Sequence, residues 1–198
     1  MYLRPAFTET DLDRIAALIA AHPFGLLVTN SAERGMEASH VPFLVARQGD
    51  ALVLEAHLGS ANLQCDQIDG GAALAIFSGP HAYISPSWYK TQPAVPTWDY
   101  AAAHIHGHLE AIPDSTDMLH EMAADDPGQF NIHAMPEKYR AQMLAGIRGF
   151  RLRSERIEAQ WKMSQNRSIA DRQGVIAALR GQGEDEVAAL VEATLPPG

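Results

Sequence analysis

Leu12, Ile15, Leu18 and Ile19 recur at three- and four-residue spacing behind an acidic first turn. That pattern predicts an amphipathic helix over 11–21, with Thr8 or Thr10 as its cap. After a break at 22–25 the chain changes to short runs rich in Val, Leu, Ile and Phe, which predict strands over 25–30, 38–46, 51–57 and 72–78. Gly-containing turns separate them, and 61–68 has room only for a short helix. Further strands are predicted over 82–85 and 100–112, divided by a loop in which Pro86, Pro93 and Pro96 oppose helix and central strand alike. Residues 118–124 and 137–147 read as helices. The alternation over 150–158 predicts a strand with Phe150 and Leu152 on one face. Helices over 169–179 and 185–194, parted by Gly181-Gln182-Gly183, complete the pattern.

Six or seven short strands joined mostly by tight turns, with helices that do not alternate with them, predict a mainly β fold with peripheral helices. An antiparallel sheet or barrel is expected in preference to a doubly wound sheet, and no glycine-rich nucleotide fingerprint, G-x-S-x-G or H-E-x-x-H occurs. No repeat or linker divides the 198 residues, so one domain spanning 1–198 is expected, with 168–198 a C-terminal helical extension. The 46% hydrophobic content predicts a packed core. Fifteen Lys and Arg against 24 Asp and Glu give a formal charge of -9, a field that opposes direct DNA contact. The lone Cys65 excludes an intrachain disulfide and fits a reducing compartment. With no signal-like or membrane-spanning run in view, a cytoplasmic protein without a membrane partner is expected.

Three clusters could carry chemistry. Trp88, Tyr89, Trp98 and Tyr100 fall within thirteen residues of the proline-bearing loop and its edges, where they could stack on a flat ligand or cap a core or interface. His57-Leu-Gly-Ser-Ala-Asn62 follows a strong strand and opens a short helix, so Ser60 and Asn62 could donate to a phosphate or simply cap that helix. Between Arg148 and Arg172 seven cationic side chains face three acidic ones, a basic island suited to an anion or to a solvated strand face. His104, His106 and His108 alternate along one strand face. No carboxylate sits at matching spacing, so they read as surface or interface histidines and no metal site is expected.

In this order the clusters resemble the PaiB-type FMN-binding negative transcriptional regulators, a family with the FMN-binding split-barrel fold. The likeness runs through Ser39-His40-Val41-Pro42, HLGSAN at 57–62, GPHAYISPSWY at 79–89, VPTWDY at 95–100, WKMSQNR at 161–167 and DRQGVIAAL from Asp171. The resemblance implies an antiparallel split β-barrel and a homodimer with FMN in a cleft between subunits. It implies that His40, His57, Ser60 and Asn62 hold the phosphate and ribityl chain. Lys162, Gln165, Asn166 and Arg167 would reach the cofactor from the C-terminal motif, and Trp98 and Tyr100 would line the cleft with Trp88 and Tyr89 nearby. The implied function is a flavin-dependent regulator acting through partners; the alternative is a flavin-dependent oxidoreductase or haem-degrading split-barrel enzyme. Two departures stand out. Leu63 occupies a position where Pro is expected after Asn, which affects the local loop, and Asp99 stands where Asn is commoner, so a carboxylate flanks the flavin or faces solvent.

Overall fold

The computed structural model describes residues 1–124, 126–128 and 130–196. A first short strand, β1 (Thr8–Glu9), precedes helix α1 (Leu12–Ala21), whose cap is Asp11 in place of the expected threonines. Asp11 accepts the backbone N–H groups of Asp13 and Arg14, two of the donors that the first helical turn leaves orphaned. Then come β2 (Phe24–Ser31), β3 (Gly35–Pro42), β4 (Leu44–Gln48) and β5 (Ala51–Gly59). A 3₁₀ turn (Leu63–Gln67) leads into β6 (Ala72–Ile84), and a second (Pro86–Trp88) leads towards β7 (Thr97–Ile112). Helices α2 (Thr116–Met122) and α3 (Glu137–Ala145) precede β8 (Ile147–Lys162), and α4 (Ile169–Gly181) and α5 (Asp185–Glu192) follow it.

The sheet order is β3-β2-β6-β7-β8-β5-β4, with β1 on β8. Every register given by the backbone is antiparallel, as between β2 and β3 from Phe24 opposite Pro42 to Ser31 opposite Gly35. The expected mainly β, antiparallel class is therefore the observed one, with three differences. The strand expected over 38–46 is two, because the chain leaves β2 after Pro42 and joins β5 from Leu44. Phe43, at this corner, gives its N–H to the Pro23 carbonyl (2.9 Å) and its ring to the core. The strands expected over 72–78 and 82–85 are one, so residues 79–81 are strand and not a break. The helix expected over 61–68 is only a 3₁₀ turn.

Chain contacts divide the molecule into two compact units. The larger comprises 11–77 and 104–157. Its core holds Leu27, Leu54, Phe77, Ile105, Leu109, Phe150 and Leu152, and Phe43 meets Phe77 and Phe150 edge-on at 5.2 and 6.1 Å. Each such buried side chain contributes roughly 1.5–3 kcal/mol of transfer free energy. Helix α1 lies on β4 and β5 with Ile15, Leu18 and Ile19 inward. The smaller unit comprises 1–10, 78–103 and 158–198. There Val175, Ile176 and Leu179 of α4 and Val187, Ala188 and Val191 of α5 are buried, and the two helices pack together. Among the described residues no helix is long and apolar enough to cross a membrane.

Candidate functional site

In the larger unit the candidate polar cluster lies where β5 gives way to the 3₁₀ turn. His57 alternates inward and outward with its strand neighbours and is half-buried, and its Nδ1 is buried with no hydrogen-bond partner. Burial pushes its imidazole below the ordinary histidine range, so at neutral pH it is uncharged and offers a hydrogen bond without a cation. The exposed Ser60 anchors the backbone by giving its N–H to Gly146 O (2.8 Å). Asn62 has both ends of its amide engaged: Oδ1 accepts the Gln64 N–H (2.9 Å), and Nδ2 donates to Ser39 Oγ (2.9 Å). The capping reading of Asn62 is thus realised. His40 is exposed on β3 and stacks on Phe24, the ring centroids 5.7 Å apart.

Gln64 escaped the sequence reading. It is buried, and its Nε2 lies 3.0 Å from Thr29 Oγ1, 3.3 Å from Glu37 O and 3.4 Å from Leu27 O, tying the turn to β2 and β3. The turn is held by Asn62 and Gln64, while Leu63 points outward, so the departure at 63 leaves this fastening in place.

In the smaller unit the structure brings together Trp98, Tyr100 and Lys162. They line a groove of about 360 Å³ with Tyr2, Arg4 and Gln160 of the same unit. Lys162 Nζ donates to Thr97 Oγ1 (2.7 Å) and to the Trp98 carbonyl, and lies 3.3 Å from Asp99 Oδ1. Asp99 is neither solvent-facing nor on the groove wall: it is wholly buried, and Ser164 Oγ donates to its other oxygen at 2.6 Å. Ser164 has a left-handed φ of 54°, a costly conformation for a residue with a Cβ, held by the chain around it. Burial raises the Asp99 carboxyl above the ordinary range, outweighing the opposing pull of Ser164 and Lys162.

The other members of the C-terminal motif take separate places. Gln165 folds back, accepting from Met163 N and donating to Trp161 O, both at 2.6 Å. Asn166 is exposed. The Arg167 guanidinium lies 4.3 Å over the ring of Tyr89, which is buried with a hydroxyl that has no partner. Trp88 is half-buried, and its carbonyl faces Gly174 of α4 so closely that a Cβ there would overlap it. Asp171 Oδ1 accepts the N–H groups of Lys90 (2.7 Å) and Thr91 (2.8 Å), which with Ser168 hold its carboxyl below the usual range. Arg172 donates to the Thr194 carbonyl and hydroxyl, fastening the end of α5 to α4. Helix α4 therefore clasps the aromatic loop, and α5 is fastened to α4.

The basic island does not form one anion site. Along β8 Arg151 pairs with Glu55 and Arg153 reaches Gln48, as on a solvated strand face. Of the alternating histidines, His108 is exposed and meets Glu155 at 2.8 Å, and His106 Nδ1 lies 3.0 Å from Arg156.

Comparison with known proteins adds to this geometry. The family described as Putative FMN-binding domain matches residues 1–156. The chain is 31% identical to the protein named Protease synthase and sporulation protein PAI 2 of Bacillus subtilis (strain 168), over 97% of this chain and 95% of that one. It is 28% identical to Uncharacterized protein AN0679 of Emericella nidulans, over 93% and 92%. Among solved structures, the flavocytochrome Anf3 of Azotobacter vinelandii covers 81% of this chain and 72% of its own, with a TM-score of 0.62 at 13% identity. The FAD and haem binding protein of Mycobacterium smegmatis covers 78% and 73%, with a TM-score of 0.59 at 15% identity. These two show the fold, an antiparallel split barrel. With a family match across most of its length and a full-length relative above 30% identity, the chain belongs to the Putative FMN-binding domain family, the PaiB-type family that its motifs resemble.

Proposed function

We propose that this protein is a flavin-dependent regulator that binds FMN noncovalently as a homodimer and acts through protein partners in the cytoplasm. The family's cofactor is FMN. The single observation that carries the reading is the orphaned Nδ1 of His57, a buried hydrogen-bonding atom without a partner on the strand that leads to the exposed Ser60 and to Asn62. The donor set fits the group. His40, His57, Ser60 and Asn62 would hold the phosphate and ribityl chain, chiefly by neutral hydrogen bonds. From the C-terminal motif Asn166 and Arg167 would reach the cofactor, while Lys162 and Gln165, whose polar groups are committed within the chain, would hold the motif in shape. Trp98 and Tyr100 would shield the ring from water, with Trp88 and Tyr89 nearby. When bound, FMN supplies reversible electron transfer. The residues of this chain bind it, orient it and exclude solvent, and no acid–base or nucleophilic constellation among them assigns a substrate step.

A titration followed by flavin fluorescence tests the reading. Saturable binding below tens of micromolar is expected, an ordinary cofactor affinity of about 7 kcal/mol or more. Sedimentation should give about twice the 21.5 kDa chain mass. Arg167→Ala should weaken FMN more than riboflavin, because only the phosphate gains charge-assisted bonds. A stable monomer with full FMN affinity would defeat the dimer, and equal losses for the two flavins would defeat the phosphate role. Bleaching of the bound flavin by NADH or NADPH without oxygen would move the protein to the oxidoreductases.

A further inference from the structure

The groove of the smaller unit sets Arg4, a cation that the flavin reading does not use, in one lining with Trp98. Trp98 is 54% exposed, yet it is not a loose surface ring. Lys162 holds its carbonyl, the ring of Tyr83 meets the indole edge-on at 6.1 Å, and His81 lies tilted against it at 6.2 Å. An exposed aromatic face fixed in this way is a preorganised platform, since ordering it costs nothing when a ligand arrives.

The charge around it is one-sided. Arg4 lines the groove, and its guanidinium has the Phe7 ring at 5.4 Å but no carboxylate partner among the described residues. Lys162 is the second cation. Among the described residues no acidic side chain lines the groove: Asp99 is wholly buried, and Glu158 is taken by the Met1 amino group. Tyr100 Oη already accepts from Gln160 Nε2, which leaves its own proton to be donated. In a chain of net charge -9, a flat aromatic face beside a free guanidinium selects for its opposite.

We infer that this groove binds a second ligand beside the flavin: a flat aromatic ring carrying an anionic group, its ring on Trp98 and its anion on Arg4. The inference rests on the flavin reading only in calling this ligand the second one. The cavity, about 360 Å³, is within the range of small-molecule sites.

Calorimetric titration of the FMN-loaded protein with 2-naphthoate and with 2-naphthamide, the same ring without the charge, tests it. Naphthoate should bind about tenfold tighter, the worth of one charge-assisted contact at a partly open site. Arg4→Gln should erase that preference while leaving naphthamide binding as it was, and Trp98→Leu should weaken both probes. Arg4 is exposed, so its replacement leaves the core intact. Equal affinity for the two probes, no binding of either, or a preference that survives Arg4→Gln would overturn the inference. So would naphthoate binding to apoprotein that FMN displaces one for one, which would make the groove the flavin's own. FMN titration of the unmodified protein separates the two readings: if FMN does not bind, the flavin reading falls, and the naphthoate result on apoprotein decides the groove independently.

Discussion

Replacing Asp99 by Asn should leave the protein as stable at neutral pH as it was, or slightly more so, although the change removes a buried ion pair. The Lys162 ammonium lies 3.3 Å from Asp99 Oδ1, an attraction of about 5 kcal/mol at an effective dielectric of roughly 20. Against this stands the desolvation of a carboxylate with no exposure, several kcal/mol for each ion. The raised pKa of Asp99 states which effect prevails: burial costs the charged form more than Ser164 and Lys162 return to it. Asn keeps the shape and an acceptor for Ser164 without the charge, and Lys162 retains Thr97 and the Trp98 carbonyl. The change at pH 7 should stay within about 1 kcal/mol, where an ion pair that was net stabilising would forfeit about 3–5. Because the folded pKa lies above the unfolded one, the folded state binds more protons, and the Asp99 contribution falls as pH rises from the ordinary carboxylate range through the elevated value. Asn removes that slope. Urea denaturation of both proteins at pH 5 and pH 8 measures each quantity. A loss of 3 kcal/mol or more at pH 8 would refute the reasoning, as would an unchanged pH slope.

Three other outcomes follow from the same structure. Gly174→Ala should cost about 1–3 kcal/mol, the range for overpacking, because its Cβ would overlap the Trp88 carbonyl; urea denaturation measures it, and a neutral result would mean that α4 does not press on the aromatic loop. Asp171 should contribute stability above the ordinary carboxylate range and lose it as pH falls through its lowered value, so hydrogen exchange at Lys90 and Thr91 should quicken at acidic pH; Asp171→Asn should show quickened exchange at neutral pH already. His57 is held neutral by burial, so FMN affinity should be flat through pH 7–8 in its contribution, and His57→Phe, which fills the space without an acceptor or donor, should weaken FMN across that range; an unchanged affinity would remove His57 from the site.

The sequence makes local periodicity legible and hides the long-range bonds. Helix α1 is readable because Ile15, Leu18 and Ile19 must share one face, and all three are buried. Its cap is not legible, because Thr8, Thr10 and Asp11 all have side chains suited to the task and the backbone geometry at Asp11 decides among them. Gly79-Pro80 carries the grammar of a turn but lies inside β6, beyond the Ala73–Ile76 stretch that pairs with β2, where a missing N–H breaks none of those bonds. Pro42-Phe43 carries no clear turn signal, yet there the chain exchanges one strand partner for another. That choice is made by the destination of the Phe43 ring, which lies against Phe77 and Phe150, distant in sequence.

The candidate site divides along the same line. Residue type was enough to nominate Trp98, Tyr100 and Lys162, because aromatic faces and an ammonium are scarce and clustered. It could not say what the ammonium does. Lys162 has three donors, and the structure directs them to Thr97, the Trp98 carbonyl and Asp99, making it in this chain the fastening of the indole. Arg4 carries no motif that marks it in the sequence, but among the described residues its guanidinium has no carboxylate partner, and Arg4 lines the same groove. A cation committed to the protein orders the site, and a cation left open selects what enters it. Lys162→Ala should therefore loosen Trp98, seen as a less anisotropic indole emission, whereas Arg4→Gln should leave that emission alone and change only which ligands bind. If both variants loosen the indole equally, the division of labour between the two cations is wrong.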